Sequence, residues 1–222
     1  MKKLYDLSPR IDPSLPVWPG DTPFSARLTA RLADGASVNL SALTSTPHLG
    51  SHADAPFHTE EDGAGIEAMP LAPYLGLCRV VDVPREADGR PPALVEPRHL
   101  VDAAGRPLDP AEPPRLLLKT GSVTDRTVFP ERFTALSPEL AALLVDAGAL
   151  LVGLDSPSVD PFDSTDLPAH HALFRGGVAN LEGLVLDDVP PGVYELIALP
   201  LRLAGLDASP VRAVLRELGG GA

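Results

Sequence analysis

The strongest chemical signal in the chain is a group of imidazole and carboxylate side chains in residues 48–58, which read HLGSHADAPFH. This segment contains His48, His52, Asp54 and His58. Neutral imidazoles together with an ionised carboxylate suit zinc, manganese or ferrous iron. The chain has a single cysteine, so no thiolate cluster competes for this role. The segment therefore predicts a metal site.

The spacing of these side chains limits the backbone conformation. All four occupy even positions, so a pleated strand would place them on one face. A straight strand from His48 to Asp54 would span roughly 20 Å, too far for side chains that share an ion at about 2 Å. Pro47, Gly50 and Pro56 disfavour a helix. We therefore expect a strand that turns tightly at Gly50 and stops at Pro56.

Two other interpretations of the segment need to be weighed. The histidines could lie in a solvated loop, or they could form a closed structural zinc site. Three histidines and an aspartate this close together usually indicate metal binding, which disfavours the loop. Closed structural sites favour cysteine, and the chain has only Cys78. A metal at a working site is the preferred interpretation.

A second group of candidate ligands lies downstream. A helix is expected to begin there with Asp166 available as its N-cap. Adjacent helical residues point about 100° apart, so only one of His170 and His171 can face a given site, and the residue pattern does not choose between them. Glu182 lies in an otherwise apolar run. Because burying an unpaired carboxylate is costly, it is expected at a solvent edge or beside a cation.

Composition excludes several classes of protein. The 222 residues fit one domain, 1–222, and 44% of them are hydrophobic. The net charge of −12 disfavours nucleic acid or an anionic membrane as a partner. One cysteine excludes an intramolecular disulfide. Lys2 and Lys3 are followed by Asp6 and Pro9 and not by an apolar run, so neither a secretory signal nor a membrane span is expected. We expect a cytoplasmic protein.

Strand and helix patterns are mixed along the chain, which predicts an α/β domain. The clearest helix starts at Ser137 as N-cap, with Pro138 and Glu139 in its first turn and Gly148 after its end. Runs of Val, Leu and Ile bounded by Gly, Pro and Asp predict strands at 4–7, 25–32, 38–44, 76–83, 115–119, 150–154 and 193–203. Other helix candidates are 96–103, 168–174 and 210–217.

Segment 48–58 is similar to the signature His-x-Gly-[Thr/Ser/Ala]-His-x-Asp-x-Pro-x-His of the metal-dependent cyclase family. Within that family the chain most closely resembles the bacterial kynurenine formamidases, or arylformamidases. Position 51 is Ser where other members have Thr or Ala. Further matches extend the resemblance over nearly the whole chain: LYDLS at 4–8, VWPGDT at 17–22, LDSPSVDP at 154–161, the pair His170 and His171, and EGL at 182–184.

The resemblance implies a fold and a ligand set. The implied fold is a single swivelling α/β domain of the β/β/α type, with a mixed, barrel-like sheet and flanking helices, and a homodimer is implied as the assembly. Two divalent metal ions, usually zinc in this family, are implied. Their ligands come from two segments: His48, His52 and Asp54 hold the first ion, Asp54 also reaches the second, His170 binds the second, and Glu182 bridges both.

The implied reaction is the hydrolysis of N-formyl-L-kynurenine to L-kynurenine and formate in tryptophan breakdown. His58 would be the general acid/base that protonates the departing aniline nitrogen. Trp18 would line the substrate pocket, although a tryptophan that anchors a core or a loop is the alternative. Two rivals remain: another amide or lactone hydrolase of the family, isatin-hydrolase-like and using manganese, and a non-catalytic metal-binding protein. A non-catalytic metal-binding protein would give His58 no chemical role.

Overall fold

The computed structural model describes residues 2–219. Its strands and helices are short, as expected for a chain punctuated by 26 prolines. In chain order they are β1 (Leu4–Asp6), β2 (Ser25–Ala30), β3 (Leu40–Thr44), β4 (His52–Asp54), β5 (Leu75–Asp82), β6 (Leu94–Val95), β7 (Arg115–Lys119), β8 (Ala135–Leu136), α1 (Pro138–Asp146), β9 (Leu151–Leu154), α2 (Pro168–Arg175), β10 (Ala179–Leu181), β11 (Gly192–Ile197), β12 (Ala208–Pro210) and β13 (Val214–Glu217).

A seven-stranded sheet forms the centre of the fold, in the order β1-β13-β11-β5-β7-β9-β10. The neighbours from β1 to β5 pair antiparallel, and those from β5 to β10 pair parallel. The sheet curls into a half-barrel. The predicted α/β class with a mixed, barrel-like sheet is therefore confirmed.

Strand β7, between β5 and β9, shows why the sheet is buried on both faces. Leu117 packs into one core cluster with Cys78, while Leu116 and Leu118 face the opposite cluster together with Leu140 of α1. All three leucines are fully buried. A continuous apolar run of this kind is typical of a strand in the parallel part of a sheet.

Three two-stranded ribbons flank the sheet: β2–β3, β4–β12 and β6–β8. The ribbon β4–β12 brings the C-terminal segment against the candidate ligand segment, with Ala208 opposite Asp54. The hairpin β2–β3 instead exposes almost all of its residues to solvent. Of these three ribbons, β4–β12 is the one that contributes to the site described below.

Helix α1 forms as predicted. Ser137 is its N-cap, and the Ser137 Oγ accepts a hydrogen bond from the Leu140 amide at 3.1 Å. The second helix is also confirmed, but Asp166 does not cap it. The amides of Ala169 and His170 donate instead to the carboxylate of Asp160. Neither helix of the described residues has the length and apolar character needed to cross a membrane.

Three predicted elements were wrong. Segment 96–103 forms only a 3₁₀ turn, Pro97–His99, because the backbone leaves helical geometry at Leu100 and Val101 pairs with Pro107. Segment 210–217 is not a helix, because Val214–Glu217 is held as a strand between β1 and β11. The strand expected at 193–203 ends at Ile197. Tertiary pairing overrides local propensity in these segments.

Candidate metal centre

The ligand segment turns where the sequence predicts. Gly50 has φ 63°, in the left-handed region that favours glycine, and β4 begins two residues later at His52. His52 and Asp54 then share one face of β4, while the intervening Ala53 points into the core. The strand ends before Pro56, whose 3₁₀ turn carries the chain on to His58.

Main-chain hydrogen bonds join the two candidate ligand segments. The His52 amide donates to the Glu182 carbonyl at 3.2 Å, and the Glu182 amide donates to the His52 carbonyl at 3.0 Å. Next to this pair, Gly183 has φ 64°, and a Cβ there would lie 2.3 Å from the Gly50 carbonyl oxygen. Glycine at position 183 therefore permits the close approach that places Glu182 beside β4.

The first cluster of candidate ligand atoms comes from His48, His52 and Asp54. The Asp54 Oδ1 lies 3.0 Å from the His48 Nδ1 and 3.4 Å from the His52 Nε2. Two atoms that bind one ion tetrahedrally at about 2 Å lie about 3.3 Å apart. These separations are the ones that a shared ion requires.

The second cluster comes from Asp54, His170 and Glu182. The His170 Nε2 lies 3.5 Å from the Asp54 Oδ2 and 3.2 Å from the Glu182 Oε1. The other oxygen of Glu182 lies 3.3 Å from the His52 Nε2 of the first cluster. Both carboxylates therefore present one oxygen to each cluster, which is the arrangement of bridging ligands.

The hydrogen-bond geometry within these clusters fits a cation. Among the described residues, the buried Asp54 Oδ1 and His170 Nε2 meet no partner with hydrogen-bond geometry, although polar atoms lie within 3.0–3.5 Å of each. Unsatisfied buried polar atoms are costly, and their convergence usually marks a missing ion or water. The residues present therefore fit a divalent metal of the kind that accepts nitrogen and oxygen ligands.

The charges of the cluster support the same conclusion. Burial lowers the pKa of His48, but the carboxylates of Asp207 and Asp54 outweigh it and raise this pKa to about 10. Burial likewise opposes the charged form of His170, whose pKa is nevertheless raised well above its usual value by Asp160 and Asp54. The imidazoles in turn hold the pKa of Asp54 well below its usual value against the effect of burial. The site is thus built to hold positive charge between carboxylates.

Each candidate histidine ligand is oriented through its second ring nitrogen. The His170 Nδ1 lies 2.8 Å from the Asp160 Oδ2, and the His52 Nδ1 lies 3.0 Å from the Gly50 carbonyl oxygen. A metal-ligating histidine characteristically donates this other N–H to a carboxylate or a carbonyl, which leaves a lone pair for the ion.

A further polar group orients the two bridging carboxylates. The Asn180 Nδ2 donates to the Asp54 Oδ2 at 2.6 Å and to the Glu182 Oε1 at 3.1 Å. Sequence reasoning missed Asn180, although its position in β10, two residues before Glu182, was an available signal. It also missed the orienting roles of Asp160 and Asp207, for which no spacing signal existed because each reaches the site through tertiary structure.

The structure brings together most of the residues singled out from the sequence. His48, His52, Asp54, His170 and Glu182 converge within the two clusters. His171 faces away, with its Nδ1 3.9 Å from Glu60. The ring of His58 lies 4.4 Å from that of His48 and 5.6 Å from that of His170, measured between centroids, and its side chain is 30% exposed.

A cavity of about 560 Å³ opens above the clusters and is lined by His58 and Trp18. The indole of Trp18 lies 5.2 Å from the ring of Phe129 and 5.0 Å from the ring of Phe162. Trp18 and Phe129 line the cavity and form an aromatic wall beside the imidazoles, while Phe162 packs against both rings from outside the lining. Arg126 also lines the cavity, and one of its guanidinium nitrogens lies 2.9 Å from Asp187.

Comparison with known proteins places the chain in a family. The sequence model of the family described as "Putative cyclase" matches residues 5–161. The chain therefore belongs to the cyclase family. It is similar in structure to a potential metal-dependent hydrolase with cyclase activity, with 27% identity, a TM-score of 0.79, and 98% of this chain and 99% of the other covered.

Two further structures show the same fold. A predicted metal-dependent hydrolase from Bacillus stearothermophilus is 29% identical, with a TM-score of 0.75 over 98% of this chain and 100% of the other. Isatin hydrolase A from Labrenzia aggregata is 22% identical, with a TM-score of 0.79 over 97% of this chain and 93% of the other. At that identity the last likeness concerns the fold alone. The fold is that of a cyclase-family metal-dependent hydrolase.

Proposed function

We propose that the protein is a metal-dependent amide hydrolase that releases formate from N-formyl-L-kynurenine, an arylformamidase. One observation carries the proposal: two carboxylates are shared between clusters of histidines, and one of them, Glu182, lines an open cavity with an aromatic wall together with those histidines. A hydrolase of an aryl amide needs these two features together, one for the carbonyl and one for the ring.

The donor set suits two zinc ions, since it offers imidazole nitrogen and carboxylate oxygen without thiolate. Bound ions would polarise the amide carbonyl and acidify water, and the residues that would hold them are His48, His52, Asp54, His170 and Glu182. Asp54 is fully buried, whereas His48, His52, His170 and Glu182 line the cavity, so the centre faces the cavity through these four side chains.

His58 supplies proton transfer in this proposal. It lines the cavity next to the ligand histidines, and its Nδ1 lies 3.1 Å from Asp207. The other ring nitrogen is then available to take a proton from the attacking water. The same nitrogen returns the proton to the aniline nitrogen as the carbon–nitrogen bond breaks. Water and the N-aryl formamide group of the substrate thus become formate and a free aromatic amine.

The cavity walls match the rest of this substrate. The rings of Trp18 and Phe129 offer flat apolar faces to an aryl ring, and such contacts contribute about 0.5–1.5 kcal/mol each beyond simple burial. The partly exposed guanidinium of Arg126 suits the α-carboxylate of an amino-acid substrate. Apolar walls with a few polar groups are typical of small-molecule sites.

A second candidate is the hydrolysis of a cyclic aryl amide such as isatin. The specific observation in its favour is the fold likeness to isatin hydrolases, with a TM-score of 0.79 for one of them. The same aromatic wall accepts a fused aryl ring. Ring opening would leave the amine attached to the product, so it would release no formate.

Formate release separates these candidates. Purified protein loaded with zinc, and separately with manganese, is assayed for formate from N-formyl-L-kynurenine and for ring opening of isatin. We expect formate release that is lost on chelation and restored by zinc. Efficient isatin opening without formate release would favour the second candidate. Neither reaction in fully metal-loaded protein would overturn the proposed activity.

We also propose that the protein is a homodimer in which the hairpin β2–β3 contacts a second copy. An isolated two-stranded ribbon is marginally stable in water. Within residues 2–219 this hairpin pairs with no other strand, and it exposes large apolar side chains that a partner would cover. These are Leu28, Leu32, Val38, Leu40 and Leu43.

A further inference from the structure

Asp207 is held against the ligand segment by the backbone. It directly precedes β12, and its carbonyl oxygen accepts a hydrogen bond from the Ala55 amide at 2.8 Å. The next residue, Ala208, lies opposite Asp54 in the ribbon β4–β12. The position of the Asp207 side chain is therefore set by the same strand pairing that sets Asp54.

One oxygen of Asp207 contacts two imidazoles. The Asp207 Oδ2 lies 2.9 Å from the His48 Nε2 and 3.1 Å from the His58 Nδ1. An ionised carboxylate only accepts hydrogen bonds, so both of these ring nitrogens must carry a hydrogen. For the neutral rings, this leaves the His48 Nδ1 and the His58 Nε2 with lone pairs.

The lone pairs of the His48 Nδ1 and the His58 Nε2 lie where metal binding and proton transfer require them. The His48 Nδ1 is the nitrogen that faces Asp54, at 3.0 Å, within the first cluster. The His58 Nε2 is the nitrogen left free to exchange a proton with a substrate in the cavity. Free histidine in water favours the opposite tautomer, with hydrogen on Nε2, so His58 needs a partner to hold its hydrogen on Nδ1.

We propose that Asp207 is a positioning residue that fixes the tautomer and orientation of both His48 and His58, and so couples metal binding to proton transfer through one carboxylate oxygen. For His58 the inference rests on the proposed hydrolytic function. For His48 it rests on the metal cluster alone.

A rival role for Asp207 is direct ligation, because His48, His58 and Asp207 also offer three closely spaced donor atoms. The geometry argues against ligation. Both contacts of the Asp207 Oδ2 satisfy hydrogen-bond geometry, whereas the Asp54 Oδ1 and the His170 Nε2 in the other two clusters do not. A carboxylate oxygen whose contacts are good hydrogen bonds orients the rings that donate to it. Buried polar atoms that lie close together without hydrogen-bond geometry are typical of metal ligands.

The test compares Asp207→Ala and Asp207→Asn with the parent protein, all loaded with zinc. The backbone hydrogen bond to Ala55 remains possible in both variants, and the asparagine keeps a carbonyl oxygen that can accept from both rings. Asp88→Ala, which removes a carboxylate paired with Arg90 on the surface, is the matched control. Three quantities are measured: zinc affinity by competition with a chelating dye, the tautomers by nitrogen-15 NMR of the imidazoles, and kcat and KM on N-formyl-L-kynurenine.

We expect His58 to carry its hydrogen on Nδ1 in the parent and in Asp207→Asn, and on Nε2 in Asp207→Ala. Zinc affinity should fall about 10–100-fold in Asp207→Ala and less in Asp207→Asn. The kcat should fall by a similar factor in Asp207→Ala, with KM nearly unchanged, and Asp207→Asn should recover most of it.

Several outcomes would overturn the inference. An unchanged His58 tautomer and an unchanged kcat in Asp207→Ala would remove the positioning role. Equal loss of zinc in Asp207→Asn and Asp207→Ala would assign Asp207 as a ligand instead. If the parent does not hydrolyse N-formyl-L-kynurenine, the proposed function fails, but the NMR and zinc measurements still decide the role of Asp207.

Discussion

Asp160 holds His170 in two ways at once. The Asp160 Oδ2 accepts from the His170 Nδ1 at 2.8 Å and from the His170 amide at 3.0 Å, while its Oδ1 accepts from the Ala169 amide at 2.9 Å. The same carboxylate therefore caps α2 and sets the ring orientation of a candidate ligand. Helix formation and ligand placement are linked at this residue.

Because Asp160 both caps α2 and orients His170, Asp160→Ala should lower both stability and zinc affinity. Losing the cap should cost about 1 kcal/mol in the free energy of unfolding, and losing the ring partner should weaken zinc binding about 10–100-fold. Urea unfolding and a zinc competition titration measure the two effects. Asp166→Ala is the control, since the expected cap residue does not bind the helix amides, and it should change neither quantity appreciably.

Among the histidine pair, only His170 should bind metal. His170→Ala removes an atom of the second cluster, whereas His171 faces Glu60 at a partly exposed position. Zinc content after gel filtration should therefore fall in His170→Ala and stay at the parent level in His171→Ala. Loss of zinc only in His171→Ala would reverse the assignment.

Replacing His58 should affect turnover more than metal content. His58→Ala is expected to lower kcat on N-formyl-L-kynurenine by roughly a hundredfold to ten-thousandfold, the usual contribution of a positioned acid/base. Zinc content and KM should change little, because the proton moves in the transition state. A metal-free His58→Ala protein would show that His58 is a ligand.

Metal removal should destabilise the fold. An ion that binds only the folded chain, at a free concentration a thousand times its Kd, adds about 4 kcal/mol to the free energy of unfolding. For a chain of this length that corresponds to a rise in Tm of roughly 10 °C, read by thermal denaturation with zinc and with a chelator. The double variant His48→Ala/His170→Ala should show no zinc-dependent shift.

The hairpin β2–β3 should control the oligomeric state. Leu40 and Leu43 are 55% and 71% exposed, and aspartate at both positions should disfavour an apolar interface. Analytical ultracentrifugation is expected to find the parent as a dimer and Leu40→Asp/Leu43→Asp as a monomer. Leu71→Asp, at a 58% exposed position outside the hairpin, should remain a dimer. A monomeric parent would contradict the proposal.

Local patterns predicted the parts of the fold that depend on local physics. The Ser137 cap with Pro138 defines the start of α1, and the apolar run at 115–119 gives β7 with the bounds expected. Segment 210–217 contains good helix formers but becomes a strand, because pairing on both sides satisfies its backbone. Such long-range pairing leaves no trace in the local residue pattern.

In the candidate site, too, some residues could be predicted from the sequence and others only from the tertiary structure. The dense group from His48 to His58 was recognisable from residue types. Glu182 was a candidate because it lies in an otherwise apolar run, and its bridging role came from the family resemblance. The choice of His170 over His171 came from the resemblance, since helical geometry only required that one of them be excluded. Asp207 could not be found from the sequence, because only the ribbon β4–β12 brings it to the histidines. The cytoplasmic location stays a prediction.

Ser51 ties together parts of the chain that are made at very different times. Its hydroxyl shares one hydrogen between the carbonyl oxygens of Leu7 at 3.0 Å and Gly183 at 2.9 Å, residues that lie 44 and 132 positions away. On a ribosome adding about 5–20 residues per second, Glu182 follows Asp54 by roughly 6 to 26 s. Because β4 also pairs with β12, the shared centre can close only after most of the protein has been synthesised.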